Sequence, residues 1–258
     1  MTIWGFQTDI AWEDRDANFR RIDASIAQAG PVEEGTLLVF PELATVGFTM
    51  NSGAIAEPTQ GESARFFSSL AQRHRCHVLA GIPGPSEEPG KGANEAVCFA
   101  PDGNEVARYR KRHPFPLVHE GDHFSAGETA VVFEINGWKV APLICYDLRF
   151  PETFREATAL GAEVFVVIAN WPSLRVDHWT TLVRARAIEN LAYVVGVNRA
   201  GSDPQLDYPG ASLVVGPKGE ILADAGSEPG VLRAALDREA LVQWRLDFPA
   251  LEGLNPQS

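Results

Sequence analysis

Cysteine is scarce in this sequence, with Cys76, Cys98 and Cys145 the only three among 258 residues. An odd number without a close pair excludes a disulfide framework and a thiolate zinc cluster as the organising principle. The six histidines show no HExxH-like spacing, so the sequence offers no metal site and no cofactor is expected. Basic residues are also in deficit, 22 Lys and Arg against 34 Asp and Glu, which leaves a formal net charge of −12. That balance argues against nucleic acid or an anionic membrane surface as a partner, because both require a basic face, and it is compatible with a small polar substrate. Nowhere do about 18 apolar residues run together, and MTIWGFQTDIAW lacks a basic segment followed by a long apolar one. A cytoplasmic protein without a membrane span is therefore expected. Linker-like composition is missing too: PGPSEEPGKG, Pro83 to Gly92, reads as a surface loop between strands. With 45% hydrophobic residues the chain has core enough for one α/β domain.

What is present is an alternation of strand and helix patterns. Ile3 to Gln7 and Thr36 to Phe40 read as strands flanking a helix from Ala17 to Ala29, which Gly30 and Pro31 stop. A helix over Ser63 to Arg75 precedes three strands, His77 to Ile82, Ala93 to Ala100 and Glu105 to Tyr109, with PDGNE as the last turn. His113 to Gly127 is expected to be an irregular loop, long enough to be functional. Ala130 to Ile135 and Trp138 to Ile144 form a hairpin across Asn136 and Gly137. Helices to about Leu160 and from about Asp177 to Ala192 bracket the strand Val164 to Ala169. Tyr193 to Asn198, Ala211 to Val215, Glu220 to Asp224 and Val231 to Ala235 complete the strands, and from the residues alone the fold is α/β with mixed sheets.

One stretch organises the rest. VAPLICYDLRFPE places Cys145 where a buried strand gives way to a helix that Pro151 can start. A thiol there projects from the sheet edge, and a helix start beneath it would favour the thiolate. Two further stretches supply partners: LLVFPEL ends a strand in Glu42, and RYRKRHPFPLVHEGD places Lys111 after another. Taken singly, Cys145 is a small buried hydrophobe, Glu42 a cap and Lys111 part of a solvated basic patch.

In that order, each just after a strand, Glu42, Lys111 and Cys145 resemble the signature of the nitrilase (carbon–nitrogen hydrolase) superfamily, and the resemblance runs from about Ile3 to about Ala235. It implies a four-layer α-β-β-α sandwich and a cofactor-independent thiol hydrolase acting through a thioester. Cys145 would be the nucleophile, Glu42 the proton shuttle, and Lys111 with the backbone N–H of Tyr146 the oxyanion donors. Glu120 matches a second glutamate of many relatives, with a solvated loop carboxylate as its competing reading. HPFP at His113 to Pro116 puts proline where relatives usually have leucine, which bears on pocket shape.

NWP with Arg175 and HW resembles more narrowly the bacterial omega-amidases, which cleave the terminal amide of 2-oxoglutaramate and 2-oxosuccinamate. On that resemblance Arg175 and Arg149 are candidates for a substrate carboxylate, Trp171 walls the pocket, and Asn170 bonds the substrate or fixes its loop. Arg149 has a competing reading as a structural partner of Asp147 or Glu152, and His178 reads as a packed or capping residue. Residues 1 to 236 form the hydrolase domain, and the apolar tail from 237 to 258 is expected at a homodimer interface. Other substrates for the same site are deaminated glutathione, N-carbamoyl amines, simple amides and nitriles. A non-catalytic scaffold and a metal-dependent phosphoesterase are the readings from other classes, the latter lacking a ligand set.

Overall fold

The computed structural model describes residues 1–254. Its first half carries strands β1 (Thr2–Gln7), β2 (Leu37–Val39), β3 (His77–Pro85), β4 (Gly92–Phe99) and β5 (Glu105–Arg110), with helices α1 (Arg15–Ala29), the single turn α2 (Ser52–Ile55) and α3 (Glu62–His74) between them. A crossing segment holds the short helix α4 (Glu120–His123) and strand β6 (Phe124–Ser125). In the second half β7 (Phe133–Ile135), β8 (Trp138–Ile144), helix α5 (Pro151–Ala159), β9 (Val164–Ala169), helix α6 (Val176–Asn190) and β10 (Tyr193–Asn198) follow one another. A small hairpin, β11 (Ala200–Ser202) with β12 (Asp207–Pro209), precedes β13 (Leu213–Val215), β14 (Ile221–Asp224), β15 (Gly230–Ala235) and helix α7 (Arg238–Asp247).

Two mixed sheets result. One runs β15-β1-β2-β3-β4-β5 with β6 beside β4, and the other runs β14-β13-β10-β9-β8-β7. Both have parallel strands at their centre, β1-β2-β3 and β8-β9-β10, and antiparallel strands outside them. Strand parity explains the layering, since alternate side chains of one strand point to opposite faces. Ile3, Leu37 and Val39 share a core with Val195 and Val197 of the second sheet. Their neighbours Trp4, Leu38 and Phe40 instead pack with Ile22 and Ile26 of α1 and Phe67 and Leu70 of α3. On the far side α6 lays Trp179 and Val183 over Gly196. The molecule is therefore the expected α-β-β-α sandwich, helices outside and two sheets face to face.

Local rules account for the helix ends. Asp14 caps α1 by accepting from Ala17 N at 2.9 Å, and Gly30 closes it at φ +94°. Pro151 opens α5 as its first residue, where its missing N–H costs nothing. Among the described residues no helix is long and apolar enough to cross a membrane.

Several expectations shift. His113 to Gly127 is not irregular throughout: a 3-10 turn at Pro116–Val118, α4 and β6 lie inside it. The β11–β12 hairpin is a pairing that the sequence reading omits, because Gly201 and the polar run after it show no apolar alternation. The tail forms α7, capped by Asp237 and buried through Leu241, and it packs on its own chain. Arg245 donates from Nε to Leu191 O and from Nη2 to Ala162 O, at 2.8 and 2.9 Å. Residues 255–258 of the expected dimer tail lie outside the described residues.

The sheet also brings backbone against backbone beside Glu42. A Cβ on Gly81 would sit 2.5 Å from Glu42 Cα, Leu43 N and Pro41 O, all main-chain atoms that cannot swing aside. Replacing Gly81 by alanine is expected to cost about 1–3 kcal/mol in urea unfolding, as overpacking does, and to displace Glu42. An unchanged unfolding midpoint would show that this contact is not rigid.

Candidate active site

Parallel strands deliver their C-terminal ends to one edge of the sandwich, where open α/β sheets place their ligands. Glu42 follows β2, Lys111 follows β5, Cys145 follows β8 and Asn170 follows β9. All four are buried, Glu42 fully so. Lys111 Nζ donates to Glu42 Oε1 at 2.8 Å and to Glu120 Oε2 and Oε1 at 2.8 and 3.0 Å. Glu120 is thus no solvated loop carboxylate; the left-handed turn at His119 aims it inward, and Phe115 N donates to its Oε2 at 2.6 Å.

Asn94, which sequence reading misses, bridges the two carboxylates. Its Nδ2 lies 2.7 Å from Glu42 Oε1 and 3.1 Å from Glu120 Oε1, and its backbone carbonyl accepts from Lys111 N. No motif marks it, because a single Asn inside a strand carries no spacing signal. Asn170 is committed the same way: its N–H and Nδ2 donate to Glu42 Oε2 and Glu42 O at 2.9 and 2.6 Å. It lines the cavity, but its amide holds Glu42, so of its two expected roles the geometry favours fixing the site.

Burial and charge act in opposite directions here. Burial alone would push the Lys111 ammonium down, yet the Glu120 and Glu42 carboxylates outweigh it and hold the lysine above its ordinary value. Glu120 is raised by burial and by the Glu42 charge, against the pull of Lys111. For Cys145 burial and the Glu42 charge together push the thiol well above 9.0, and Lys111 only partly opposes them.

The expected thiolate is therefore corrected. Burial and the Glu42 charge dominate at the sulfur, and Cys145 belongs to a separate 3-10 turn, Cys145–Arg149, rather than to the first turn of α5. Cys145 itself sits at φ +46°, a left-handed conformation that a non-glycine residue adopts at a cost of order 1–3 kcal/mol. Asp147 supports the bend from within: it accepts from Ile144 N, His113 N, His113 Nδ1 and the Tyr109 hydroxyl, at 2.8–3.0 Å. Arg186 adds two bonds to Leu148 O from α6. Asp147 and Tyr109 are further residues that sequence reading leaves out. In CYDLRF an acidic side chain facing back into the turn looks the same as one facing water.

Tyr146 N–H stands in the first turn of that 3-10 segment, where leading amides have no carbonyl of the turn to bond. The sulfur lies 4.0 Å from Asn170 O and also faces the Glu42 carboxylate. In front of it opens a cavity of about 100 Å³, walled by Trp171, Tyr146, Phe115, Phe48 and Tyr208. Trp171 is fixed by bonds from its N to Asn198 Oδ1 and from its Nε1 to Arg175 O, both 2.7 Å. Arg149 and Arg175 both line the cavity, Arg175 over the Phe115 ring at 5.4 Å. Arg149 pairs with neither Asp147 nor Glu152; its Nη2 meets His178 Nδ1 at 3.0 Å. His178 is correspondingly exposed on α6 rather than packed or capping.

A buried thiol beside a carboxylate and an ammonium can perform acyl transfer, with proton removal coupled to attack. A titration of thiolate absorbance at 240 nm checks the resting state. Between pH 6 and 9 wild type and Cys145→Ser should superimpose, since Cys145 lies well above 9.0 and Cys76 is pushed up to about 12. A step below pH 8 present only in wild type would mean a resting thiolate.

Comparisons with known proteins place the chain in a family. The carbon–nitrogen hydrolase family model matches residues 5–246. The 2-oxoglutaramate amidase of Bacillus subtilis is 34% identical over 254 residues, 98% of this chain and 97% of its own length. The omega-amidase YafV of Escherichia coli K12 is 38% identical over 253 residues, 97% and 95% of the two chains. Among solved structures XC1258 of Xanthomonas campestris, a carbon–nitrogen hydrolase superfamily protein, superposes with a TM-score of 0.91 at 31% identity, covering 98% of this chain and 97% of that one. With a family model spanning nearly the whole chain over a site built from Glu42, Lys111 and Cys145, the protein belongs to the carbon–nitrogen hydrolase family and is a carbon–nitrogen bond hydrolase.

Proposed function

We propose that this enzyme is a thiol amidohydrolase that removes the terminal amide of 2-oxo dicarboxylic acid monoamides, of the 2-oxoglutaramate and 2-oxosuccinamate type, as ammonia. The observation that carries the reading is a small cavity with a buried Cys145–Glu42–Lys111 site at its floor and two arginines in its wall. A chain of a few carbons spans such a cavity, and a guanidinium suits the carboxylate at its far end. The full-length likeness to a 2-oxoglutaramate amidase and an omega-amidase supports the same choice.

In the proposed reaction Cys145 Sγ attacks the amide carbon while Glu42 takes the thiol proton. The developing oxyanion is held by Lys111 and by Tyr146 N–H. Glu42 passes its proton to the departing nitrogen, ammonia leaves, and a thioester remains on Cys145. Water, deprotonated by Glu42, then attacks the thioester, and the proton returns to the sulfur as the 2-oxo acid is released. Glu120 and Asn94 act through others in this scheme: they hold Lys111 and Glu42 where the two must stand. Arg175, Arg149 and Trp171 bind the substrate, and Asn170 fixes the base.

The same reading extends to assembly and place. Val242, Leu246 and Phe248 of the tail region are exposed, beside Leu241, which is buried. Large apolar side chains in such a row suit an interface with a second copy, so a homodimer is proposed. A cytoplasmic location is proposed from the small-molecule substrate and the absence, among the described residues, of a membrane-crossing helix.

Ammonia release from 2-oxoglutaramate and 2-oxosuccinamate, measured beside a neutral aliphatic amide of equal length, tests the proposal. Wild type should prefer the oxo acids, and Cys145→Ser should lose activity on every amide. Glu42→Gln should lower kcat by about 10²–10⁴, the range for a lost acid–base group. Activity on the neutral amide alone would keep the site and discard the substrate.

A further inference from the structure

Two cations line the cavity, and among the described residues neither Arg149 nor Arg175 lies within salt-bridge distance of a carboxylate. The one lining carboxylate, Asp203, has both oxygens engaged: Oδ1 accepts from Gln205 N and Leu206 N, and Oδ2 accepts from the Tyr208 hydroxyl at 2.6 Å. Two guanidinium groups against one carboxylate leave the cavity lining with an excess of positive charge, which favours an anion.

Arg149 is the more closely held of the two. Its guanidinium lies 4.9 Å from the centre of the Trp171 ring and 5.9 Å from that of Tyr146, both walls of the cavity. Its outer edge is fixed from another element: Nη2 donates to His178 Nδ1, 3.0 Å away on the first turn of α6. In that bond Nδ1 is the acceptor, because a guanidinium has only donors. Outside the cavity Arg149 and His178 share a shallow groove with Asp177 and Thr181, so the pair forms the partition between the substrate cavity and solvent. Of the five N–H donors of the guanidinium, one is spent on His178, and the side chain also lines the cavity.

We propose that His178 is a positioning residue for substrate specificity: its Nδ1 pins Arg149 against Trp171, so that Arg149 and Arg175 together clamp the carboxylate of the substrate while its amide reaches Cys145. This rests on the carboxylate-bearing substrate proposed above. Without the imidazole acceptor, a long arginine side chain regains its rotamer freedom, and a carboxylate then has to order it on binding. His178 touches neither the substrate nor the reacting atoms, so its loss should act on affinity rather than on turnover.

The test compares wild type, His178→Ala, His178→Asn, Arg149→Gln and the double variant His178→Ala/Arg149→Gln. Each is assayed for kcat and KM on 2-oxoglutaramate and on a neutral amide of equal length, with thermal unfolding run alongside. In His178→Ala the preference for the carboxylate-bearing amide should fall about tenfold, the scale of one hydrogen bond to a charged group, through KM and not kcat. His178→Asn, whose Oδ1 can accept in place of Nδ1, should regain most of that preference. The double variant should be no less selective than Arg149→Gln, because both changes remove one device. The inference is overturned if His178→Ala keeps the wild-type preference, if it weakens both substrates equally, or if the two substitutions are additive. Were wild type itself to show no preference for the carboxylate, the substrate reading would fail, and the clamp with it; a wild-type preference untouched in His178→Ala would remove only His178.

Discussion

Everything at the site depends on a desolvated ammonium held between two carboxylates. Lys111, Glu42 and Glu120 come from three separate strand ends or turns, and none has the bulk water that ordinarily stabilises its charge. Removing Lys111 would leave two buried carboxylates facing each other without a cation, at a cost of about 3–5 kcal/mol. Asn94 shows how tightly the cluster is drawn: a neutral amide sits between Glu42 and Glu120, donating to both, and so separates like charges without adding one.

This cluster also sets the state of the sulfur. A cysteine among apolar strands is a poor nucleophile while its proton stays on, and burial together with the nearby Glu42 charge keeps it on. In the proposed reaction the same carboxylate that disfavours the thiolate removes its proton, so that attack and deprotonation are one event and the resting thiol is shielded from adventitious oxidation or alkylation until an amide arrives. The left-handed backbone at Cys145 serves this arrangement, turning the sulfur off the end of β8 toward the cavity. Asp147 makes that turn affordable by bonding Ile144 N, His113 and Tyr109 at once.

How much of this was legible in the sequence follows from the length scale of each signal. Buried strands such as Val164–Ala169 and the strand ends carrying Glu42, Lys111 and Cys145 are local features, visible as apolar runs punctuated by a polar residue. Their order along the chain, through its resemblance to the nitrilase signature, is what singles the three out as candidates. Asn94, Tyr109 and Asp147 matter because of what stands opposite them across a sheet or a turn, and no spacing rule reports that. The thiolate was misjudged for a related reason: the strand and Pro151 were both legible, but the five-residue 3-10 turn between them was not, and it separates the sulfur from the helix. Arg149 likewise has carboxylates near it in sequence and a histidine near it in space.

The distribution of charge along the cavity gives the proposed substrate a direction. Behind Cys145 two carboxyl groups hold one ammonium, and the cavity wall carries two guanidinium groups against a single carboxylate, Asp203, whose oxygens are already hydrogen-bonded. A ligand with one neutral end and one anionic end is favoured in one sense, because a carboxylate beside Cys145 would face two carboxyl groups opposed by a single ammonium, whereas at the wall it would face two guanidinium groups. The amide is thus presented to Cys145 by repulsion below as much as by attraction above. The same field acts on the product in the proposed reaction. Hydrolysis turns the amide into a second carboxylate at the floor, next to the two carboxyl groups already there, so the step that breaks the bond also makes its product unwelcome.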